Sequence, residues 1–166
     1  MNILLLSYGN ESSIEIAKSI NELNEHVVYG CHWDTTNAGR AYLNSSFILT
    51  VADPYAVNGV SGFLRDLEEI IDEEAIDLVY VTNCKLLKLI EENYDSFKHI
   101  DRYLIPGEEA LQYCLYKDRL YNKVPSVSPR IFESTQSALD AGASRVFIKP
   151  KYGSSGDGTR STQDLQ

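Results

Sequence analysis

Long apolar runs are missing from this 166-residue chain. No segment approaches the roughly 20 residues that a membrane-spanning helix requires, so a membrane is not an expected partner. Residues 1–6 are apolar but too short for a signal sequence, have no basic stretch before them, and run into Ser7-Tyr8-Gly9-Asn10, which excludes a secretory signal of the usual form. Cysteine is scarce. Cys31, Cys84 and Cys114 are odd in number and show no C-x-x-C spacing. That excludes a disulfide framework and a cysteine-based zinc site, and the expectation is reduced core thiols in the cytoplasm. His26, His32 and His99 have no ligand spacing, so no metal site is predicted. Basic residues number 15 against 24 acidic ones, a net charge of −9. A nucleic-acid partner needs a basic face, which this balance argues against.

Two nucleotide fingerprints are also incomplete. G-x-x-x-x-G-K-[ST] is absent, and G-x-G-x-x-G is represented by Gly9 alone. What is present is unevenly placed. Residues 1–105 carry 17 acidic and 7 basic residues, whereas residues 106–166 carry 7 and 8. The second part is therefore the one suited to a polyanion.

Strand and helix patterns alternate through the first part. Residues 2–7, 26–31, 47–51, 78–81 and 102–105 read as strands. Ser12-Ser13-Ile14-Glu15 fits a capping box, with Ile14, Ala17, Ile20 and Leu23 continuing as a helix to about Asn24. Phe63, Leu64, Leu67, Ile70 and Ile71 line a second helix, and Leu86, Leu87, Leu89 and Ile90 a third. The alternation predicts an α/β fold with a Rossmann-like, doubly wound parallel sheet. Ligands in such sheets bind at the carboxyl ends of strands, which points to Tyr8, Gly9 and Asn10 as a candidate substrate-side loop. The same argument points to His32-Trp33-Asp34 and Thr82-Asn83-Cys84.

After Pro106, residues 108–121 read as one helix, residues 130–132 as a strand, and residues 135–141 as a short helix capped by Ser134 and stopped by Gly142. Residues 146–148 then form a strand that leads to Lys149-Pro150-Lys151, followed by Tyr152-Gly153-Ser154-Ser155-Gly156-Asp157-Gly158 and a second strand at residues 159–162. Glycines and serines in such a loop let backbone N–H groups approach a phosphate chain, and the lysines supply positive charge beside it.

Together these features resemble the N-terminal part of an ATP-grasp enzyme of the carbamoyl-phosphate-synthase-like branch. The likeness is carried by the opening Met1-Asn2-Ile3-Leu4-Leu5-Leu6, by Ala52-Asp53-Pro54, and by Ile76-Asp77-Leu78-Val79-Tyr80-Val81. It continues in Tyr116-Lys117-Asp118-Arg119, in Ser128-Pro129, in Val146-Phe147-Ile148-Lys149-Pro150, and in the Gly/Ser loop. The resemblance implies a pre-ATP-grasp domain over residues 1–105. A linker helix and a partial α+β ATP-grasp lobe would occupy residues 106–166. It implies that Lys117 and Lys149 bind ATP, with Gly153, Ser154, Ser155, Gly156 and Gly158 offering donors to the phosphates. Arg119 is the alternative to Lys117, because the stretch to Pro129 is short for the family.

By the same resemblance the parent protein is a ligase. It makes an acyl-phosphate from a small carboxylate and ATP with Mg2+, then passes it to an amine or similar nucleophile. The family's metal-binding acids would lie beyond Gln166, so no residue here is assigned a catalytic role and the chain alone is expected to be inactive. A homodimer is a further expected association. The alternative is a stand-alone, non-enzymatic nucleotide- or metabolite-binding domain. A third reading, a nicotinamide-dependent oxidoreductase, has only Gly9 and Asp34 in its favour.

Overall fold

The strand Asn2–Leu6 (β1) is apolar at nearly every position because both of its faces are covered. Side chains alternate along a strand, so Ile3 and Leu5 point one way and Leu4 and Leu6 the other. Ile3 and Leu5 pack with Ile14 and Ala17 of the helix Glu11–Glu22 (α1) and with Val28. Leu4 and Leu6 join Phe63, Leu67 and Ile71 of Gly59–Glu73 (α2) and Leu86, Leu89 and Ile90 of Cys84–Glu92 (α3). The result is three layers, with α1 on one face of the sheet and α2 and α3 on the other. Phe63, Leu67 and Ile71 lose all solvent exposure, worth about 1.5–3 kcal/mol each.

The structure is a computed structural model that describes residues 1–34, 36, 38–43, 47–143, 145–151 and 160–162. The chain divides into two compact units, Met1–Pro106 and Gly107–Gln166. In the first, β1 pairs in parallel with Val27–His32 (β2) and with Leu78–Val81 (β4), and β2 pairs in parallel with Ile48–Thr50 (β3). The strand order β3-β2-β1-β4 places the switch in order between β1 and β4. The α/β reading of the sequence therefore holds. Residues 102–105 do not form the expected fifth strand. Ile100–Arg102 is a 3-10 turn, and a single bridge joins Tyr103 to Val79. That segment is tied to α2 by polar contacts that periodicity cannot register. Lys98 Nζ lies 2.8 Å from Asp72, His99 Nε2 lies 2.9 Å from Asp72, and Arg102 donates to the Ile76 carbonyl at 2.9 Å.

Two helix ends are built differently from the expectation. Helix α1 is capped by Asn10, whose side-chain oxygen accepts from Ser13 N–H, and not by Ser12. The Ser13 hydroxyl is buried and bridges backward to Gly9 N–H and the Asn10 carbonyl, which fixes the helix start two residues earlier. Helix α2 ends in a Schellman arrangement. Ile76 N–H reaches the Ile71 carbonyl at 3.0 Å, and Ala75 takes the left-handed conformation, φ 48°, that glycine usually occupies.

In the second unit the single helix expected over residues 108–121 is two helices, Glu108–Leu115 (α4) and Lys117–Lys123 (α5). Tyr116 between them is extended, φ −111° and ψ 104°. The strand expected at residues 130–132 is absent there, and the backbone is irregular. Thr135–Asp140 (α6) has the expected Ser134 cap, reinforced by Ser134 N–H donating to Ser137 Oγ at 3.2 Å, and Gly142 follows it at φ 79°. Val146–Ile148 (β5) pairs antiparallel with Arg160–Thr162 (β6), with Ile148 opposite Arg160. Phe147 and Ile148 are exposed.

Candidate functional site

The crevice at the carboxyl ends of β1 and β4 is filled by its own hydrogen bonds. Thr82 Oγ1 donates to the Leu6 carbonyl at 2.9 Å and accepts from Asn10 Nδ2 at 3.1 Å. Asn83 Nδ2 reaches Ser7 Oγ at 3.4 Å, and Gly9 N–H donates to Ser13 Oγ at 2.9 Å. Ser7 holds a left-handed φ of 65° and Gly9 one of 125°. Tyr8 N–H is given to the Cys31 carbonyl, Gly9 N–H to Ser13 Oγ and Ser13 N–H to Asn10 Oδ1, so these three amides are not open to a dinucleotide phosphate. Tyr8 belongs to the core. Its ring is fully buried, and a Cβ placed on Gly30 of β2 would overlap its Cγ at 2.6 Å. Of the three candidate substrate-side residues, only Gly9 and Asn10 stand at the rim.

In the second unit a backbone hydrogen bond joins two lysine-bearing segments. Lys117 opens α5, and its N–H donates to the Lys151 carbonyl at 3.1 Å. Lys151 Nζ reaches back to Asp118 Oδ2 at 3.0 Å. That hydrogen bond holds the Asp118 carboxyl below the usual carboxylate range. The extended Tyr116 is what lets the chain turn to make this contact, so the break between α4 and α5 and the docking on the β5 exit are one feature. Lys149 leaves β5 exposed to solvent, two residues before Lys151. Arg119 is directed elsewhere, with its guanidinium on Gln112 Oε1 and 4.7 Å from the centre of the Tyr116 ring.

The fold has solved counterparts. Pyruvate carboxylase from Rhizobium etli, in a structure with the allosteric activator acetyl coenzyme-A, superposes with a TM-score of 0.66 at 16% identity. The match covers 99% of this chain and 16% of that one. The biotin carboxylase domain of a single-chain bacterial carboxylase gives 0.54 at 12% identity, covering 92% of this chain and 37% of the other. The likeness is one of fold, and the chain spans a minor part of either protein. No protein-family profile matches the sequence, and no curated protein matches it.

Of the residues that the sequence singled out, Lys117 and Lys149 lie on the two elements that the Lys117–Lys151 hydrogen bond joins. Gly153, Ser154, Ser155, Gly156 and Gly158 lie outside the described residues. Lys151 was read only as positive charge beside the loop, and Asp118 received no role from the sequence. Lys151 could have been found from its spacing, because the residue before a proline and the strand that precedes it are extended, which puts positions 149 and 151 on one side of the chain. The donor set of Lys117, Lys149 and Lys151, with one carboxylate among them, suits a phosphate chain. It does not suit a divalent cation, and no group of three or more His, Cys, Asp or Glu side chains able to hold a metal ion exists among the described residues. No helix among them is long and apolar enough to cross a membrane.

Proposed function

We propose that this chain is the nucleotide-side, N-terminal part of an ATP-grasp ligase of the carbamoyl-phosphate-synthase-like branch, working in the cytoplasm. In this reading the second unit holds the ATP phosphates between Lys117 on α5 and Lys149 at the exit of β5, and residues 153–158 close over them. The carrying observation is the Lys117 N–H to Lys151 carbonyl hydrogen bond, which draws together two lysine-bearing elements 34 positions apart in sequence. The shared fold with two carboxylases supports the same class of enzyme.

The chemistry follows from what a transferring phosphoryl group needs. It is stabilised by positioning and by neutralising charge, with little covalent help from the protein. A carboxylate oxygen attacks the γ-phosphorus, ADP leaves, and the acyl-phosphate so formed is opened by an amine with release of phosphate. Mg2+ would be held by acids other than those described. Lysines that flank the phosphates from two elements supply the local positive potential, and Lys151 on Asp118 keeps α5 in register with the strand exit.

The test is an ATP titration followed by amide chemical shifts. Saturable shifts are expected at residues 117–119 and 149–151 with a dissociation constant in the millimolar range, roughly 4 kcal/mol. Lys149→Ala should weaken binding about tenfold, about 1.4 kcal/mol. Shifts confined to the β1/β4 crevice, or binding indifferent to both lysines, would refute the assignment. Micromolar ATP binding would favour the stand-alone binding domain.

A further inference from the structure

A second cluster stands at the carboxyl ends of β2 and β3 in the first unit. His32 closes β2, and Trp33 follows it with the two rings stacked, centres 4.2 Å apart and 22° from parallel. Tyr55 meets Trp33 at 5.4 Å and 77°, so the two rings form a corner. Trp33 rests on the core with one side, whereas Tyr55 is 48% exposed and Val57 95% exposed.

The loop that carries Tyr55 is held in place and does not trail. Ala52 N–H donates to Asp66 Oδ2 at 2.9 Å, and Tyr55 N–H donates to Asp53 Oδ1 at 2.9 Å. Gly59 sits so close to the Asp53 carbonyl that a Cβ there would overlap it. The Tyr55 backbone is thereby fixed beside Trp33 while about half of its side chain stays open to solvent.

The charge around the corner is negative. Asp34 and Asp53 both act on the His32 ring. Hydrogen bonds from Thr36 keep the Asp34 carboxyl below its ordinary range, so it is ionised at neutral pH. Asp34 N–H donates to His32 Nδ1 at 2.7 Å, so this nitrogen is the acceptor, and burial lowers the ring's affinity for a proton. The histidine is therefore neutral at pH 7 and adds no positive charge beside Asp53. Aromatic faces at right angles with carboxylates beside them attract an organic cation, through the ring quadrupoles and through direct charge.

We propose that the Trp33–Tyr55 corner, with Asp53 at its rim, is a binding site for an organic ammonium cation. It lies at the end of the parallel sheet where ligands of such folds are received. The site does not depend on how the lysines of the second unit are read. If both readings hold, the cation class includes an amine that a ligase would consume.

Trp33 is the only tryptophan in the chain, so its emission reports this corner alone. The probes are choline and its uncharged isostere 3,3-dimethyl-1-butanol, each added to the whole chain at constant ionic strength. Choline should change Trp33 emission saturably in the millimolar range, and the alcohol should bind about fivefold or more weakly. Asp53→Asn keeps the acceptor for Tyr55 N–H and removes the charge. Tyr55→Leu keeps bulk and removes the ring. Each should weaken choline about fivefold or more while far-UV circular dichroism stays unchanged. Equal responses to choline and the alcohol, no saturable response up to about 100 mM, or choline binding untouched by both substitutions would overturn the proposal. ATP is not involved, so failure here and failure of the nucleotide reading are told apart.

Discussion

Gly30→Ala puts the close approach of β2 to Tyr8 to a direct test. The new methyl group would meet the Tyr8 ring at Cδ1 and at Cγ, the latter 2.6 Å away, and the Tyr8 Cβ at 3.1 Å, well inside van der Waals contact. Tyr8 is fully buried and cannot swing out, and Gly30 is held in register opposite Leu5 of β1. Overpacking of this kind costs about 1–3 kcal/mol, and the rigid strand on one side and closed core on the other favour about 3 kcal/mol. Tyr8→Ala alone removes a large buried ring and should cost about 3–5 kcal/mol. In the double variant the methyl group has room, so the two losses should fall short of additivity by about 2 kcal/mol. Urea unfolding followed by Trp33 emission reads the first unit, where the tryptophan lies. Losses that add within about 0.5 kcal/mol would show that the two residues do not press on each other and refute the reasoning.

Three further outcomes are expected. Burial pushes the Cys31 thiol up to about 12, whereas Cys84 and Cys114 are exposed, so an aromatic disulfide reagent should titrate two thiols in the native chain and the third only on unfolding. The Asp118 carboxyl has a lowered folded-state pKa. Its contribution is therefore present above the ordinary carboxylate range and lost as pH falls through the folded value, and carbon NMR of Asp118 should show this low titration return toward normal in Lys151→Ala. Ala75→Gly should stabilise the first unit by about 1 kcal/mol in chemical denaturation, because glycine takes the left-handed turn after α2 without strain.

The sheet could be read from the sequence because its signals are local. The nearly continuous apolar β1, the four-residue β4 and the four-residue spacing of Phe63, Leu67 and Ile71 each betray their element within a short window. The errors arise where a distant partner decides. Nothing within residues 108–121 announces that Tyr116 will be extended, since the reason is Lys151, whose carbonyl takes the Lys117 amide. Ser12 made a plausible cap on spacing alone. Asn10 prevails because its carbonyl also accepts from the buried Ser13 hydroxyl, while its amide binds Thr82 from another strand. The fifth strand shrinks to one bridge at Tyr103, with Leu104 N–H on the Val79 carbonyl, and the Arg102 contact with the Ile76 carbonyl beside it leaves no mark in the periodicity. Of the candidate site, Lys117 and Lys149 were visible as residue types. The Trp33–Tyr55 corner was half visible, since Trp33 follows a strand but Tyr55 joins it only through the fold.

The central position of β1 has a consequence for how the protein comes into being. It leaves the ribosome well before its second neighbour, β4, which begins 76 positions after it at Leu78. Half of its backbone partners, and one of the two walls that cover it, do not exist until residues of α2, β4 and α3 have been made. Until then an apolar five-residue edge waits in solution beside only β2, the sort of edge that invites pairing with other chains. The acidic residues that precede β4 outnumber the basic ones, and like charge of this kind opposes association of such intermediates. The surplus of carboxylates is then a safeguard of synthesis as well as a property of the finished surface.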